Sequence, residues 1–152
     1  MEQLDRRNLF AVLSAFATLS ALAGSAAAES ATADLSVSKV IHFGDIPVRK
    51  LPTGSEMRRV MSGTLPTGEF VEIHESVLPA GHMPHPPHKH PNTEWLFIQS
   101  GKLEYLDVDK PIAIGPGDIV FSASNVIHGL TNIGDTPASY IVVSVGKQLK
   151  EG

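Results

Sequence analysis

The stretch "GHMPHPPHKHPNTEWLFIQSG", residues 81–101, contains four of the chain's seven histidines and a single glutamate. In an extended strand, side chains two residues apart lie on the same face, so His88 and His90 can point the same way. The triplet "PNT" (91–93) then turns the chain, and a strand that begins at Glu94 brings a carboxylate beside the two imidazoles. Metal ions of borderline hardness favour this mixture of donors. Taken alone, His-x-His is better explained by a solvated, proline-stiffened loop, so the metal interpretation depends on a further ligand from elsewhere in the chain.

A further candidate ligand is His128, in the run "VIHGLTN" (126–132) that follows the apolar stretch "DIVF". An unpartnered imidazole is costly to bury, although hydrogen bonds to the backbone would also satisfy a core histidine. The spacing connects the two regions. From Gly81 the chain reads six residues, His, one residue, His, three residues, Glu, six residues and Gly. A second run begins fifteen residues later and contains, in order, Gly117, Ala123, Asn125, His128 and Asn132.

The two motifs together resemble the cupin superfamily, over about residues 81–132. The first motif of that family pairs His-x-His with a glutamate, and the second opens with a glycine and closes with His-x-x-x-Asn. The resemblance implies an all-β fold, an antiparallel double-stranded jelly-roll β-barrel, with Asn132 near the site. It implies that the metal ligands are the four matching residues, His88, His90, Glu94 and His128. It also implies a homodimer, and it assigns no catalytic residue.

Three positions depart from the family pattern. Six residues follow Gly81 where five are usual, and Ala123 and Asn125 replace the usual proline and glycine before the last ligand. None of these changes removes a ligand. Asn adopts left-handed backbone angles more readily than most residues do, so we expect Asn125 to form the same turn.

The rest of the chain predicts strands. Short runs rich in β-branched and aromatic residues alternate with turn signals such as "LPTGE", "QSGK" and "IGPGD", and no helical period of useful length follows residue 30. Many short strands at this spacing indicate a sandwich or a barrel. The predicted strands are 36–43, 57–63, 69–77, 93–99, 102–108, 111–114, 118–121, 126–132 and 138–146.

The N-terminus has the anatomy of a signal peptide. Arg6 and Arg7 precede an apolar run, and the small residues of "SAAAES" suit cleavage after Ala28. A membrane anchor is the alternative, but the run falls short of the ~20 strongly apolar residues that a spanning helix needs. We expect residues 1–28 to be removed, 29–35 to form a flexible leader and 36–148 to form a single barrel domain. The destination is then the periplasm or the exterior, without stable membrane anchoring.

The adjacent arginines resemble the twin-arginine export signal, whose proteins fold before they cross the membrane. An ordinary Sec signal is the alternative. If export follows the twin-arginine route, the metal ion binds in the cytoplasm, before the protein reaches the compartment in which it functions.

The charge and the cysteine content restrict the partners and the metal ligands that the chain can have. The net charge of −4 argues against a nucleic-acid partner, which demands a basic face. The chain has no cysteine, so disulfides and thiolate metal sites are excluded.

Three imidazoles and one carboxylate predict one divalent metal ion. Manganese and iron are favoured, because cytoplasmic loading protects weak binders from competition, and nickel, copper and zinc also fit the donor set. Such an ion can act as a Lewis acid, bind an enolate or carboxylate, or engage dioxygen. The predicted function is a metalloenzyme, dioxygenase-like or of the lyase or isomerase class, for a small oxygenated organic molecule. A non-catalytic module that binds or senses a small ligand or metal is the alternative.

Several other polar or aromatic residues have less specific interpretations. His82 and His85 are expected to be exposed loop residues, with second-shell donation, proton shuttling or metal capture as alternatives. Trp95 and Phe97 are expected to face away from the cavity. Arg58 and Arg59 are expected to be a solvated pair, with anion binding as the alternative. His74 and Glu75 receive no role.

Overall fold

A computed structural model describes residues 34–147 of the chain. The predicted signal peptide and most of the predicted leader therefore lie outside the described residues. A short 3₁₀ helix, Phe43–Asp45, precedes the strands. The strands are β1 (Arg49–Lys50), β2 (Glu56–Thr64), β3 (Phe70–Leu78), β4 (Thr93–Ser100), β5 (Leu103–Asp107), β6 (Lys110–Ile114), β7 (Ile119–Ser122), β8 (His128–Asn132) and β9 (Ala138–Gly146).

The strands form two sheets. One has six strands in the order β1-β2-β3-β9-β4-β7, and the other has three in the order β6-β5-β8. All neighbouring strands are antiparallel. The predicted all-β, antiparallel jelly-roll fold is confirmed. Among residues 34–147, no helix is long and apolar enough to cross a membrane.

Alternation along the strands builds the core between the sheets. On β9, Ala138, Tyr140 and Val142 are buried while their neighbours in sequence are more exposed, as expected for a strand with one face inward. Leu78 and Leu103 are fully buried. Each contributes about 2 kcal/mol through removal of apolar surface from water. The buried apolar cluster comprises Leu78, Leu96, Ile98, Leu103, Tyr105, Val120, Leu130, Ala138, Tyr140 and Val142.

The proline-rich segment 81–88 runs beside β8 and extends the smaller sheet. The backbone N–H of Asn132 donates to the carbonyl of His82 at 2.9 Å, and the N–H of Gly81 donates to the carbonyl of Asn132 at 3.0 Å. His88 and His128 form an isolated antiparallel bridge further along. The three prolines between these contacts lack an N–H, so a regular ladder cannot form and a further strand cannot readily add to this edge.

Eight of the nine predicted strands agree with the observed strands to within two residues. The strand predicted at 36–43 is wrong, because residues 36–42 are irregular and Phe43 begins the 3₁₀ helix. Val37 and Val40 are 59% and 81% exposed, so their apolar pattern has no sheet to pack against. The edge beside β2 is instead occupied by β1. Asn125 has a φ of +60°, which confirms the expected left-handed turn.

Gly101 closes the first motif and offers a test of the packing. Its φ is +87°, and an added Cβ would lie 2.4 Å from the Cβ of Ala138. Gly68 has a φ of +103° but nothing within 4 Å of an added Cβ, which makes it a matched control. We expect Gly68→Ala to lower the free energy of unfolding by about 1–2 kcal/mol through backbone strain alone. Gly101→Ala should cost about 1–3 kcal/mol more because of overpacking. Urea unfolding measures both, and equal losses would contradict this account.

Candidate metal centre

Two segments far apart in sequence position the histidines. His88 and His90 lie just before β4, and His128 is the first residue of β8. The backbone N–H of His88 donates to the carbonyl of His128 at 3.0 Å, and the N–H of His128 donates back to the carbonyl of His88 at 2.9 Å. The N–H of Asn125 donates to the carbonyl of His90 at 2.8 Å. The backbone therefore fixes all three imidazoles relative to one another.

The three imidazoles form one cluster. Ring centroids are separated by 5.1 Å for His88 and His90, 4.9 Å for His88 and His128, and 5.0 Å for His90 and His128. One ring nitrogen from each residue lies within 4.8 Å of the other two, so the group could hold a metal ion. The structure thus brings together three of the four predicted ligands from both motifs.

Backbone carbonyls fix the protonation of two rings. The Nδ1 atom of His90 lies 3.0 Å from the carbonyl oxygen of Asn92, and Nδ1 of His128 lies 2.9 Å from that of Val126. Because a carbonyl only accepts, Nδ1 carries the hydrogen in each neutral ring and Nε2 keeps its lone pair. Metal-binding histidines are typically oriented in this way.

Two ring nitrogens of the cluster have no hydrogen-bond partner among the described residues. Nε2 of His128 and Nδ1 of His88 are buried and make no hydrogen bond within the described part of the chain. Leaving such an atom unsatisfied costs about 1–3 kcal/mol. A bound cation would accept the lone pair on Nε2 of His128, so the residues present fit a divalent metal ion.

Glu94 lies beside the cluster on β4. Its Oε1 is 3.3 Å from Nε2 of His90, and its Oε2 is 3.7 Å from Nε2 of His128. In neutral rings these two nitrogens carry lone pairs and act as acceptors. A carboxylate this close is therefore repelled by both lone pairs. A cation or a proton between them removes the repulsion. The assignment of Glu94 as the fourth ligand stays a prediction.

The sequence pattern of the family described as "Cupin domain" matches residues 74–144, a range that includes all three clustered histidines and Glu94. The protein carries a cupin domain. The resemblance that the two motifs predicted is therefore confirmed. The comparison with curated proteins gave no match.

Solved structures agree with the cupin fold. An RmlC-like cupin from Shewanella frigidimarina is 15% identical, with a TM-score of 0.62 over 73% of this chain and 94% of that one. A predicted oxalate decarboxylase from Thermotoga maritima is 21% identical, with a TM-score of 0.60 over 71% and 99%. The polyketide cyclase RemF from Streptomyces resistomycificus is 15% identical, with a TM-score of 0.58 over 76% and 88%. At these identities the likeness concerns the fold alone.

Burial and neighbouring imidazoles keep the His88 side chain neutral. Burial lowers the pKa of His88 from 6.5 to about 4, assisted by the charges that His85, His128 and His90 would carry. The His85 ring stands edge-on to His88 at a centroid separation of 4.1 Å. At neutral pH the His88 ring is therefore in the form that binds metals.

The loop histidines differ from each other. His82 is exposed, and its Nδ1 lies 2.9 Å from the carbonyl oxygen of Ala80, as expected for a loop residue. His85 is also exposed, but its side chain lines the cavity beside the cluster. His85 is thus a residue of the cavity wall, which the preferred interpretation missed.

Asn132, which the resemblance implied to be near the site, lies away from the histidine cluster. It lies four residues along β8 from His128, a separation of about 13 Å in a strand. Its fully buried side chain donates to the carbonyls of Leu78 at 2.9 Å and Thr136 at 2.8 Å, and accepts from the N–H of Gly134 at 3.0 Å. Asn132 therefore holds the ends of two strands together.

Arg58 was expected to be solvated, but its side chain is mostly covered. Arg58 forms a 2.9 Å ion pair with the buried Glu75, and its guanidinium lies 4.6 Å from the centroid of the Phe43 ring. This contact covers the outer face of the larger sheet. Trp95 faces outward as predicted, and its ring centroid is 5.4 Å from that of Phe121.

A cavity of about 240 Å³ adjoins the histidine cluster. Its polar lining includes His74, to which the sequence analysis gave no role, and also Ser76, Tyr105 and Tyr140, which it did not single out. Period-two alternation along β3 and β9 places His74, Ser76 and Tyr140 on the inner face, so the pattern held a usable signal. A larger but open depression of about 560 Å³, around Thr67 and Lys147, contains no histidine.

The pKa of His88 predicts how stability depends on pH. The folded-state pKa of about 4 is lower than the ordinary value of 6.5, so below pH 6.5 the unfolded chain binds the proton more readily. Stability of the metal-free protein should fall as the pH drops from about 6.5 towards 4. Urea unfolding in the presence of a chelator measures this slope. His88→Asn should lose part of the slope, whereas His82→Asn should keep it. Identical slopes in wild type and His88→Asn would contradict the assignment.

Proposed function

We propose that the protein is a metal-dependent enzyme that acts on a small oxygenated organic molecule, of the oxidoreductase (dioxygenase-like) or lyase and isomerase class. The observation that carries the proposal is a cavity of about 240 Å³ that is lined by residues of the histidine cluster and by further polar side chains. A site built only to hold a metal needs no such space. The cavity is smaller than those that take drug-sized ligands, which favours a small substrate.

The proposed ligand set is His88, His90, Glu94 and His128. A divalent ion held there supplies Lewis acidity or redox chemistry to an oxygen-bearing ligand. The protein residues around it have separate roles. Leu96 and Val142 form an apolar wall that excludes water, and Tyr105, whose hydroxyl is 2.7 Å from the Ser122 hydroxyl, supports the wall behind the His128 ring.

Manganese or iron is the proposed ion, with nickel, copper and zinc as the other candidates. The nitrogen-rich donor set by itself favours copper and zinc on affinity. Loading in the cytoplasm before export is the physical reason for the preference for the weaker binders.

The structural relatives support a catalytic function by analogy only. One is named as a predicted oxalate decarboxylase and another as a polyketide cyclase, and both names denote enzymes. A shared fold does not transfer a reaction. The competing function is a non-catalytic module that binds a small ligand or a metal in the same cavity.

Metal binding and turnover test the proposal together. Purified protein should bind one equivalent of Mn²⁺ or Fe²⁺, measured by calorimetry and elemental analysis. His128→Asn should weaken binding at least about 100-fold, while the matched variant His82→Asn should bind like wild type. The loaded protein should turn over at least one member of a panel of small hydroxy acids, keto acids and enols, with and without oxygen. Tight metal and ligand binding without turnover would favour the binding module.

Export through the twin-arginine route is a second part of the proposal. The apolar run after Arg6 and Arg7 and the small residues before Ala28 support it. The processed protein should appear in the periplasm, and changing both arginines to lysine should retain the precursor in the cytoplasm, as measured by cell fractionation. Elemental analysis of the exported protein should find manganese or iron. Unchanged export of the lysine variant, or copper or zinc alone in the site, would contradict these expectations.

A homodimer is also proposed. On the outer face of the larger sheet, Phe97 of β4 pairs in register with Ile119 of β7. Phe97, Ile119 and Phe121 are 39%, 62% and 58% exposed. A second copy of the chain would cover this apolar surface.

A further inference from the structure

The turn between His90 and β4 is held by hydrogen bonds to each of its carbonyls. The carbonyl of His90 accepts from the backbone N–H of Asn125 at 2.8 Å, and the carbonyl of Pro91 accepts from the hydroxyl of Ser124 at 2.6 Å. The carbonyl oxygen of Asn92 lies 3.0 Å from Nδ1 of His90. Only the last of these contacts bears on a side chain of the cluster, and it sets the orientation of the His90 ring.

The side chain of Asn92 is buried against β9. Asn92 is 4% exposed, and its Nδ2 donates to the hydroxyl of Ser144 at 3.4 Å. Its Oδ1 is buried and makes no hydrogen bond with any described residue. One long hydrogen bond and one unpartnered oxygen are poor compensation for the burial of an amide. Hydrogen bonding therefore does not by itself explain why an amide is buried here.

Gly146, at the end of β9, is the residue against which Asn92 packs. Thr93 pairs with Val145 in the ladder between β4 and β9, and the antiparallel register continues with Asn92 opposite Gly146. A Cβ added at Gly146 would lie 2.6 Å from Oδ1, 2.8 Å from Cγ and 3.0 Å from Cα of Asn92. The amide thus occupies the place of the missing side chain. The φ of Gly146 is not in the left-handed region, so the contact with Asn92, and not the backbone, requires glycine.

This contact leads directly to a predicted metal ligand. The Cα of Asn92 is bonded to the carbonyl carbon whose oxygen holds Nδ1 of His90. A displacement of that Cα therefore moves the acceptor away from the imidazole. Gly146 lies beyond residues 74–144, which match the cupin pattern, so neither the family pattern nor the two motifs include it.

The Asn92 carbonyl competes with Glu94 for the hydrogen on the His90 ring. Oε1 of Glu94 is 3.3 Å from Nε2 of His90 and would accept a hydrogen bond from it. In that tautomer Nε2 carries the hydrogen and has no lone pair for a metal ion. The carbonyl at Nδ1 favours the other tautomer, which leaves the lone pair on Nε2. The seating of Asn92 on Gly146 thus bears on whether His90 is ready to bind a metal.

We propose that Asn92 and Gly146 are positioning residues for His90, and that the missing side chain of Gly146 keeps the Asn92 carbonyl at Nδ1 of the His90 ring. Neither residue contacts the metal or the substrate in this role. The inference rests on the proposed function, because it takes His90 as a metal ligand.

Nitrogen NMR of the imidazoles tests the positioning without a metal. In metal-free, full-length protein at pH 9, above the ordinary histidine pKa of about 6.5, wild-type His90 and His128 should both carry the hydrogen on Nδ1. Gly146→Ala should shift His90 towards the tautomer with hydrogen on Nε2. His128 should keep its tautomer, because its Nδ1 faces the carbonyl of Val126, and it serves as an internal control. Asn92→Ala, which keeps the carbonyl but loses the packing, should shift His90 in the same direction.

Calorimetric titration with Mn²⁺ measures the consequence for metal binding. Gly146→Ala should weaken Mn²⁺ binding at least about tenfold, as is typical when a residue that orients a metal ligand is changed. Gly44→Ala is the matched control and should stay within about twofold of wild type, because an added Cβ there meets nothing within 4 Å. In an Asn92→Ala background, Gly146→Ala should weaken binding by no more than about threefold, since the two atoms nearest the new Cβ are gone.

The outcomes separate this inference from the proposed function. Either an unchanged His90 tautomer or an unchanged Mn²⁺ affinity in Gly146→Ala would overturn the positioning role. Equal tautomer shifts at His90 and His128 would also overturn it, because they indicate a general loosening of the site. Failure of Mn²⁺ to bind the wild type would contradict the proposed function, while the NMR comparison would still decide the role of Asn92. If Gly146→Ala does not fold, Asn92→Ala carries both measurements.

Discussion

The reciprocal pair of backbone hydrogen bonds between His88 and His128 is the contact on which the site depends. The two residues are forty positions apart, and each donates its N–H to the other's carbonyl. The entropy cost of closing a loop rises only slowly with the length of the loop. Two well-formed hydrogen bonds and the surrounding sheet can therefore hold His88 and His128 together. The contact joins the proline-rich segment to β8 and brings the imidazoles of both motifs to one point. Without it, neither motif forms a site.

Electrostatics then give that point its chemistry. Carbonyl acceptors at Nδ1 orient the rings of His90 and His128, and their Nε2 atoms face the carboxylate of Glu94 across 3.3 and 3.7 Å. Burial and neighbouring imidazoles hold the pKa of His88 at about 4. The protein thus gathers three imidazoles and a carboxylate in one space, and His88 in that space binds a proton less readily than an ordinary histidine. The lone pairs and the carboxylate repel one another unless a cation lies between them. This repulsion lowers the stability of the metal-free fold and raises its affinity for a metal cation.

Much of this could be predicted from the sequence because it depends on local patterns. Alternation in β9 and the turn glycines specify strands without reference to the rest of the fold. The spacing around His88, His90 and His128 likewise identifies these residues as candidate ligands before their geometry is known. The strand predicted at 36–43 failed because its alternation is also local, while pairing requires a free sheet edge, which β1 occupies. The predicted position of Asn132 near the site was wrong. Asn132 is the last residue of β8, and the strand places it about 13 Å from His128, the first residue.

The wall of the cavity was harder to predict. His74 comes from β3, and only the order of the six-stranded sheet reveals that it faces the same space as Glu94 across β9. Strand order depends on long-range packing, which a single sequence does not display. The resulting cavity combines polar side chains such as His74 and Glu94 with apolar ones such as Leu96 and Val142.

The most direct test of the central claim is anomalous diffraction from a crystal of the native, metal-loaded protein. The account predicts one strong peak within about 2.2 Å of a nitrogen of each of His88, His90 and His128 and of a carboxylate oxygen of Glu94. A peak elsewhere, or a protein of full metal content with these four side chains directed away from the ion, would contradict it.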